Sequence, residues 1–137
     1  MKKLFNTKLL FLFLFLLSFL LLSCHEGYVS SKEADVLKKY MGPSKLKELT
    51  ENPDENIIII DVRPNDAYIN GHIPTAKSYS SSVIKDRLLE IPKDKYLIVY
   101  CETGGRAQAV IKILEIEGYS LMMNWGGWTR WPYELEK

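Results

Sequence analysis

A cysteine and an arginine five positions apart flank two glycines in the run Tyr96-Leu97-Ile98-Val99-Tyr100-Cys101-Glu102-Thr103-Gly104-Gly105-Arg106. A thiol in such company is a candidate nucleophile, because the sulfur anion is the attacking species and needs local positive potential. The apolar, β-branched and aromatic residues before Cys101 predict a strand, and Ala107-Gln108-Ala109-Val110-Ile111 opens a helical pattern. Cys101 therefore falls at the carboxyl end of a strand, where open parallel α/β sheets hold their ligands. Gly104 and Gly105 let the backbone curl, so that successive N–H groups face inward as an anion-binding nest. The helix behind them adds the positive end of its dipole. A buried structural cysteine is the alternative.

Other motifs keep step with this loop. Asp61-Val62-Arg63 closes an earlier strand, Gly71-His72-Ile73-Pro74-Thr75-Ala76 forms a turn, and Gly118-Tyr119 precedes a further strand followed by Gly126-Gly127 and Trp131. In order and spacing, over roughly residues 28–135, the chain resembles the rhodanese (sulfurtransferase) family, with its Gly-His-Ile-Pro-Gly-Ala and Gly-Gly-x-x-x-Trp signatures. The resemblance implies a catalytic Cys101 and a substrate-binding loop of Glu102, Thr103, Gly104, Gly105 and Arg106. Cys101 would take the outer sulfur of a donor such as thiosulfate or a persulfide, and a cyanide or thiol acceptor would remove it. No cofactor or metal is called for. The resemblance also implies supporting roles for Asp61, Arg63 and His72. Asp61 has three possible partners by position: the loop amides, Arg63 and Arg106. His72 is expected to hydrogen-bond within its turn rather than act as a base.

Three residues depart from the family pattern. Thr75 stands where glycine is usual, Ala107 where a hydroxyl residue is frequent, and Glu102 puts a negative charge beside the nucleophile, disfavouring a dianionic donor. Two rival functions follow. Cysteine-based phosphatases and arsenate reductases with a related loop separate cysteine and arginine by five residues, whereas four intervene here, a ring better fitted to one sulfur than to a tetrahedral oxyanion. The other rival is a lipid-tethered sulfur carrier, sensor or binding module without efficient turnover.

The first 23 residues stand apart from the fold. Lys2, Lys3 and Lys8 form a basic start, Leu9 to Leu22 is apolar but for Ser18, and Leu21-Leu22-Ser23-Cys24 resembles a bacterial lipobox. Residues 1–23 are thus expected to be a lipoprotein-type signal peptide, 24–27 a lipidated tether and 28–137 the folded domain, with an uncleaved anchor as the alternative. A lipid on Cys24 places the protein in the cell envelope. His25, where an aspartate would signal inner-membrane retention, points to an outer-membrane anchor facing the periplasm. Three of the 18 basic side chains lie in the leader, leaving 15 against 17 acids, a formal charge of −2. No basic patch suggests nucleic acid. With only His25 and His72, and no Cys-x-x-Cys, a zinc site lacks ligands. Outside the cytoplasm cysteines are usually paired, so an unpaired Cys101 is a liability unless it does chemistry.

The elements that must position these groups alternate along the chain. An edge strand near Tyr28-Val29 leads to a helix over Lys32–Tyr40 capped by Ser31, with Ala34, Leu37 and Met41 on one face. A second helix starts at Ser44 and stops at Asn52-Pro53. Ile57–Ile60 suits a central parallel strand covered on both faces. Asn70-Gly71 ends a short helix with a left-handed residue, and a short strand follows at Ala76–Tyr79. Ser80–Glu90 predicts a serine-capped helix with Val83, Ile84, Leu88 and Leu89 inward. The Tyr96–Tyr100 strand and the loop then lead to a helix burying Ala107, Val110, Ile111 and Leu114, widened by Ile113 and Ile116. Leu121–Trp125 is the last strand, and Trp125, Trp128 and Trp131 are expected to seal the sheet's end rather than line a pocket. This alternation gives one α/β domain, a mainly parallel sheet with helices on both faces. The five-stranded topology is what the resemblance implies.

Overall fold

The computed structural model describes residues 28–137. The leader, Cys24 and His25 lie outside the described residues. Four strands form a parallel sheet, β1 (Ile57–Asp61), β2 (Lys77–Ser78), β3 (Tyr96–Cys101) and β4 (Met122–Gly127), in the order β2-β1-β3-β4. The two interior strands are nearly continuous apolar runs because both their faces are covered.

Alternation along β1 and β3 divides the core. Ile60, Leu97, Val99 and Cys101 face helix α3 (Gly105–Ile116), packing with Ala107, Val110, Ile111 and Leu114. Ile59, Ile98 and Tyr100 face the other way, against Ala34 and Leu37 of a 3-10 helix (Glu33–Tyr40) and Leu46 and Leu49 of α1 (Pro43–Glu51). Helices therefore cover both faces. At about 1.5–3 kcal/mol for each large apolar side chain fully buried, these two layers dominate the stability of the sheet. Helix α2 (Asn65–Asn70) carries the chain from β1 towards the Gly71–Ala76 turn.

The sheet has four strands, not five. The expected edge strand contracts to one antiparallel bridge, Val29 to Met123. Its backbone turns away at once because the Ser30 and Ser31 hydroxyls both donate to Ser120 O, and Ser31 Oγ accepts the Ala34 N–H at 3.2 Å to start the 3-10 helix.

The Ser80–Glu90 helix is also shorter and differently phased. A 3-10 helix spans Ile84–Glu90, no serine side chain caps it, and Arg87 leaves helical geometry at φ −117°, ψ 16°. Arg87 is held there by bonds to Ser78 O and the Glu90 carboxylate. A period near three and a mid-helix kink defeat a projection based on 3.6 residues per turn. Ile84 is buried, whereas Val83 and Leu89 are exposed. Ile116, at the end of α3, is exposed too.

The turn at Thr75 takes a backbone shape that favours glycine. Thr75 sits at φ 66°, a left-handed conformation that costs a β-branched residue on the order of 1 kcal/mol. Its N–H donates to the Glu136 carboxylate at 3.0 Å, which holds it there. Gly71 has φ 154° and ψ 132°, outside the left-handed helical region expected of it. A Cβ there would lie 3.0 Å from Leu135 Cδ1, so the glycine also makes room for the C-terminal segment.

Candidate active site

Cys101 is the last residue of β3, and its side chain lies on the α3 face of the sheet. It is a free thiol, 1% exposed, while Glu102, Thr103, Gly105 and Arg106 above it are exposed. The sulfur thus lies beneath a rim formed by its own loop. The Gly104 N–H donates to Cys101 Sγ at 3.1 Å. Gly104 adopts φ 99°, ψ −18°, the left-handed conformation that folds its amide back onto the sulfur. It is also the residue immediately before α3, and no side chain caps that helix start. The first N–H groups of α3 therefore have no side-chain acceptor, next to an atom that gains from negative charge.

The glycine pair divides its labour. Gly104 needs its positive φ, and a Cβ on it would meet Gly126 Cα at 3.1 Å. A Cβ on Gly105 would touch nothing within 4 Å, so nothing in its surroundings demands glycine.

The loop is braced from the neighbouring strand by a residue that the sequence did not single out. Asn124 Nδ2 donates to Gly104 O and to Gln108 Oε1, each at 3.1 Å, and Asn124 Oδ1 accepts the Gly126 N–H at 2.9 Å. A single amide side chain thus ties the loop, the first turns of α3 and the end of β4 together. The signal for it was a lone polar residue inside an apolar strand, directly before Trp125-Gly126-Gly127. We expect Asn124→Ala to cost about 1–2 kcal/mol of stability, because the Gly104 carbonyl and the Gly126 amide lose their side-chain partner. Urea unfolding of the two proteins measures the difference.

The Gly126-Gly127 pair is the second contributor that only the packing explains. β3 and β4 run in register with Tyr100 opposite Gly126 and Cys101 opposite Gly127, after an irregularity at Val99/Tyr100. A Cβ on Gly127 would lie 2.5 Å from Glu102 O and 3.1 Å from Thr103 Cα. The loop backbone rests directly on this bare stretch of β4.

Asp61 selects Arg63 among its three possible partners. Arg63 Nε and Nη2 reach the Asp61 carboxylate at 2.7–3.1 Å, and the Arg63 N–H adds a bond of 2.9 Å to Asp61 Oδ1. Both residues are buried. Burial opposes the Arg63 charge, yet the bonds to Asp61 outweigh it and raise the guanidinium above its usual range. Arg63 also donates to Gly71 O at 2.7 Å, tying β1 to the Gly-His-Ile-Pro turn. Burial, reinforced by the nearby Asp61 charge, raises the Tyr100 phenol far above the ordinary tyrosine range. Its oxygen accepts the Ile73 N–H at 3.1 Å. His72 stacks on Tyr68 with centroids 3.7 Å apart, its Nδ1 lies 3.0 Å from Tyr68 O, and its backbone pairs with Glu136. None of these hydrogen bonds goes to the Cys101 loop, although the Glu102 charge helps to raise the Arg63 guanidinium.

The tryptophans part company. Trp125 and Trp131 are buried in the core. Trp128 sits at the loop rim, where its Nε1–H donates to Glu102 Oε2 at 2.8 Å and Arg63 lies 5.2 Å from its ring centroid. Arg106 is exposed on the first turn of α3 and enters no ion pair among the described residues. Ala107, at the position where the family frequently has a hydroxyl, is buried beneath the loop side of the helix. A cleft of about 310 Å³ adjoins the loop, lined in part by Thr103, Gly104, Gln108, Asn124 and Arg130; Trp125, expected only to seal the sheet's end, also forms part of its wall, and Cys101 does not. Among the described residues no cluster of His, Cys, Asp and Glu could hold a metal, and no helix is long and apolar enough to cross a membrane.

Residues 42–133 match the family model of the rhodanese-like domain. The chain belongs to the rhodanese-like family. YtwF of Bacillus subtilis, named a putative sulfurtransferase, is 31% identical over 98 residues, which cover 72% of this chain and 94% of that one. A protein named sulfurtransferase from Allochromatium vinosum is 32% identical over 78 residues, covering 56% of this chain and 73% of its own length. The crystal structure of a rhodanese-like domain protein from Staphylococcus aureus superposes with a TM-score of 0.60 at 29% identity, covering 69% of this chain and 93% of that one.

Proposed function

We propose that this rhodanese-like domain is a sulfurtransferase working through a persulfide on Cys101. The observation that carries the proposal is the Gly104 N–H aimed at Cys101 Sγ from 3.1 Å, in a loop that opens directly into a helix start. Such preorganised donors favour negative charge on sulfur without further rearrangement. In the first half-reaction the Cys101 thiolate attacks the sulfane sulfur of a donor. The new S–S bond forms as the donor's own bond to that sulfur breaks, and the electron pair leaves with the donor remnant. In the second, a thiophilic acceptor attacks the terminal sulfur and the electron pair returns to Cys101. Neither half-reaction consumes an oxidant or reductant, so the residues present suffice.

The tight closure of the loop favours sulfur over phosphate. Four residues separate Cys101 from Arg106, a shorter ring than the five of a phosphatase loop and one that suits a single further sulfur better than a tetrahedral oxyanion. In this proposal the domain works at a membrane surface in the cell envelope, held by a lipid on Cys24, with a small sulfur-containing donor and a thiol or cyanide acceptor. Thiosulfate, mercaptopyruvate and polysulfide offered in parallel should each be scored by mass spectrometry for one added sulfur on Cys101 that cyanide removes. Absence of that adduct from every donor would overturn the proposal.

A further inference from the structure

We propose that Glu102 sets donor specificity, its fixed carboxylate selecting singly charged sulfane-sulfur donors with an organic arm over the dianion thiosulfate. This rests on the sulfurtransferase function proposed above and concerns which donor class the same site accepts. Glu102 follows the nucleophile directly, so their Cα atoms are about 3.8 Å apart. It is exposed, yet it is held at both ends. Its backbone lies against Gly127, close enough that a Cβ there would come within 2.5 Å of Glu102 O. Its carboxylate accepts the Trp128 Nε1–H at 2.8 Å.

Arg63 is the cation beside Trp128 and feels the Glu102 charge, but its guanidinium is committed to Asp61 by bonds of 2.7–3.1 Å, and that buried pair is neutral overall. Glu102 enters no ion pair among the described residues, and the indole is a neutral donor. Arg106, the loop's own cation, is exposed and unheld by any ion pair among the described residues, so it can follow a donor of either kind. The acid held in place at this loop is Glu102, through its bond to Trp128. Repulsion scales with donor charge, so a dianion meets about twice the opposition of a monoanion at equal distance. The Trp128 ring, partly buried at the same rim, offers an apolar face on which an organic arm can rest.

The test compares thiosulfate with an organic thiosulfonate on the full chain. Both donate an outer sulfur to Cys101, one releasing sulfite and the other a sulfinate, so the chemistry matches while the charge differs by one. Glu102→Gln keeps an oxygen for the Trp128 Nε1–H and removes the charge. It is expected to raise the kcat/KM ratio of thiosulfate to thiosulfonate about fivefold. In the wild type, kcat/KM for thiosulfate should rise with ionic strength more steeply than that for thiosulfonate, since salt screens the repulsion. This second readout decides the matter if the variant fails to fold. A ratio unchanged in Glu102→Gln, or a thiosulfate rate that falls with salt in the wild type, overturns the role of Glu102 while Cys101 persulfide still forms. No persulfide from either donor in the wild type overturns the parent function and this inference together.

Discussion

Cys101→Ser is expected to lower sulfur transfer by at least about a thousandfold, because a serine hydroxyl stays protonated near neutrality and cannot hold a sulfane sulfur. The substitution tests chemistry rather than folding. Serine Oγ still accepts the Gly104 N–H that now reaches Sγ at 3.1 Å, so the one polar contact of the side chain survives. The main structural cost is a smaller, more polar atom in a site that is 1% exposed, which amounts to about 1–2 kcal/mol. Steady-state turnover with cyanide as acceptor, together with thermal unfolding, separates the two effects. Activity within tenfold of wild type in a folded Cys101→Ser protein would remove Cys101 from the mechanism.

Gly127→Ala is expected to lower turnover about a hundredfold and stability by about 2–3 kcal/mol, although residue 127 contributes no side chain to the site. The added methyl would need to lie 2.5 Å from Glu102 O and 3.1 Å from Thr103 Cα, closer than such contacts occur. Both obstacles are backbone, so neither can rotate aside. Either β4 moves away from β3 or the loop lifts from the sheet, and in both cases the Gly104 N–H leaves the sulfur. The matched control is Gly105→Ala. Its Cβ meets nothing within 4 Å, and alanine in the first turn of α3 is stabilising by about 0.5–1 kcal/mol. Denaturant unfolding and persulfide-loading rates on both variants provide the check. Equal behaviour of the two would mean that the loop does not depend on its seat against β4.

Short-range grammar makes the loop and its supports legible in the linear chain. Cys101 at a strand end, Gly104 as the turning residue, α3 behind it and the Asp61–Arg63 and Gly71–Ala76 segments are all readable from neighbouring residues. Backbone preference and apolar period act over only a few positions, so the order of residues displays them. The helix over residues 80–90 shows where that grammar fails. The bonds of Arg87 to Ser78 O and Glu90 kink it, and the faces of Val83 and Leu89 then differ from those a regular helix would give.

From its sequence alone this protein is determined to be an α/β domain with a cysteine at the carboxyl end of a parallel strand, just before a glycine-bearing loop and a helix. The tertiary structure alone decides what holds that thiol's loop in place. Asn124, Gly127 and Trp128 reach Gly104 and Glu102 across 20 or more positions of chain, and only because β4 lies in parallel register beside β3. The same is true of the choice of Arg63 for Asp61, and of the contraction of the fifth strand to a single bridge. Such contacts depend on the relative placement of packed elements, which no local preference encodes.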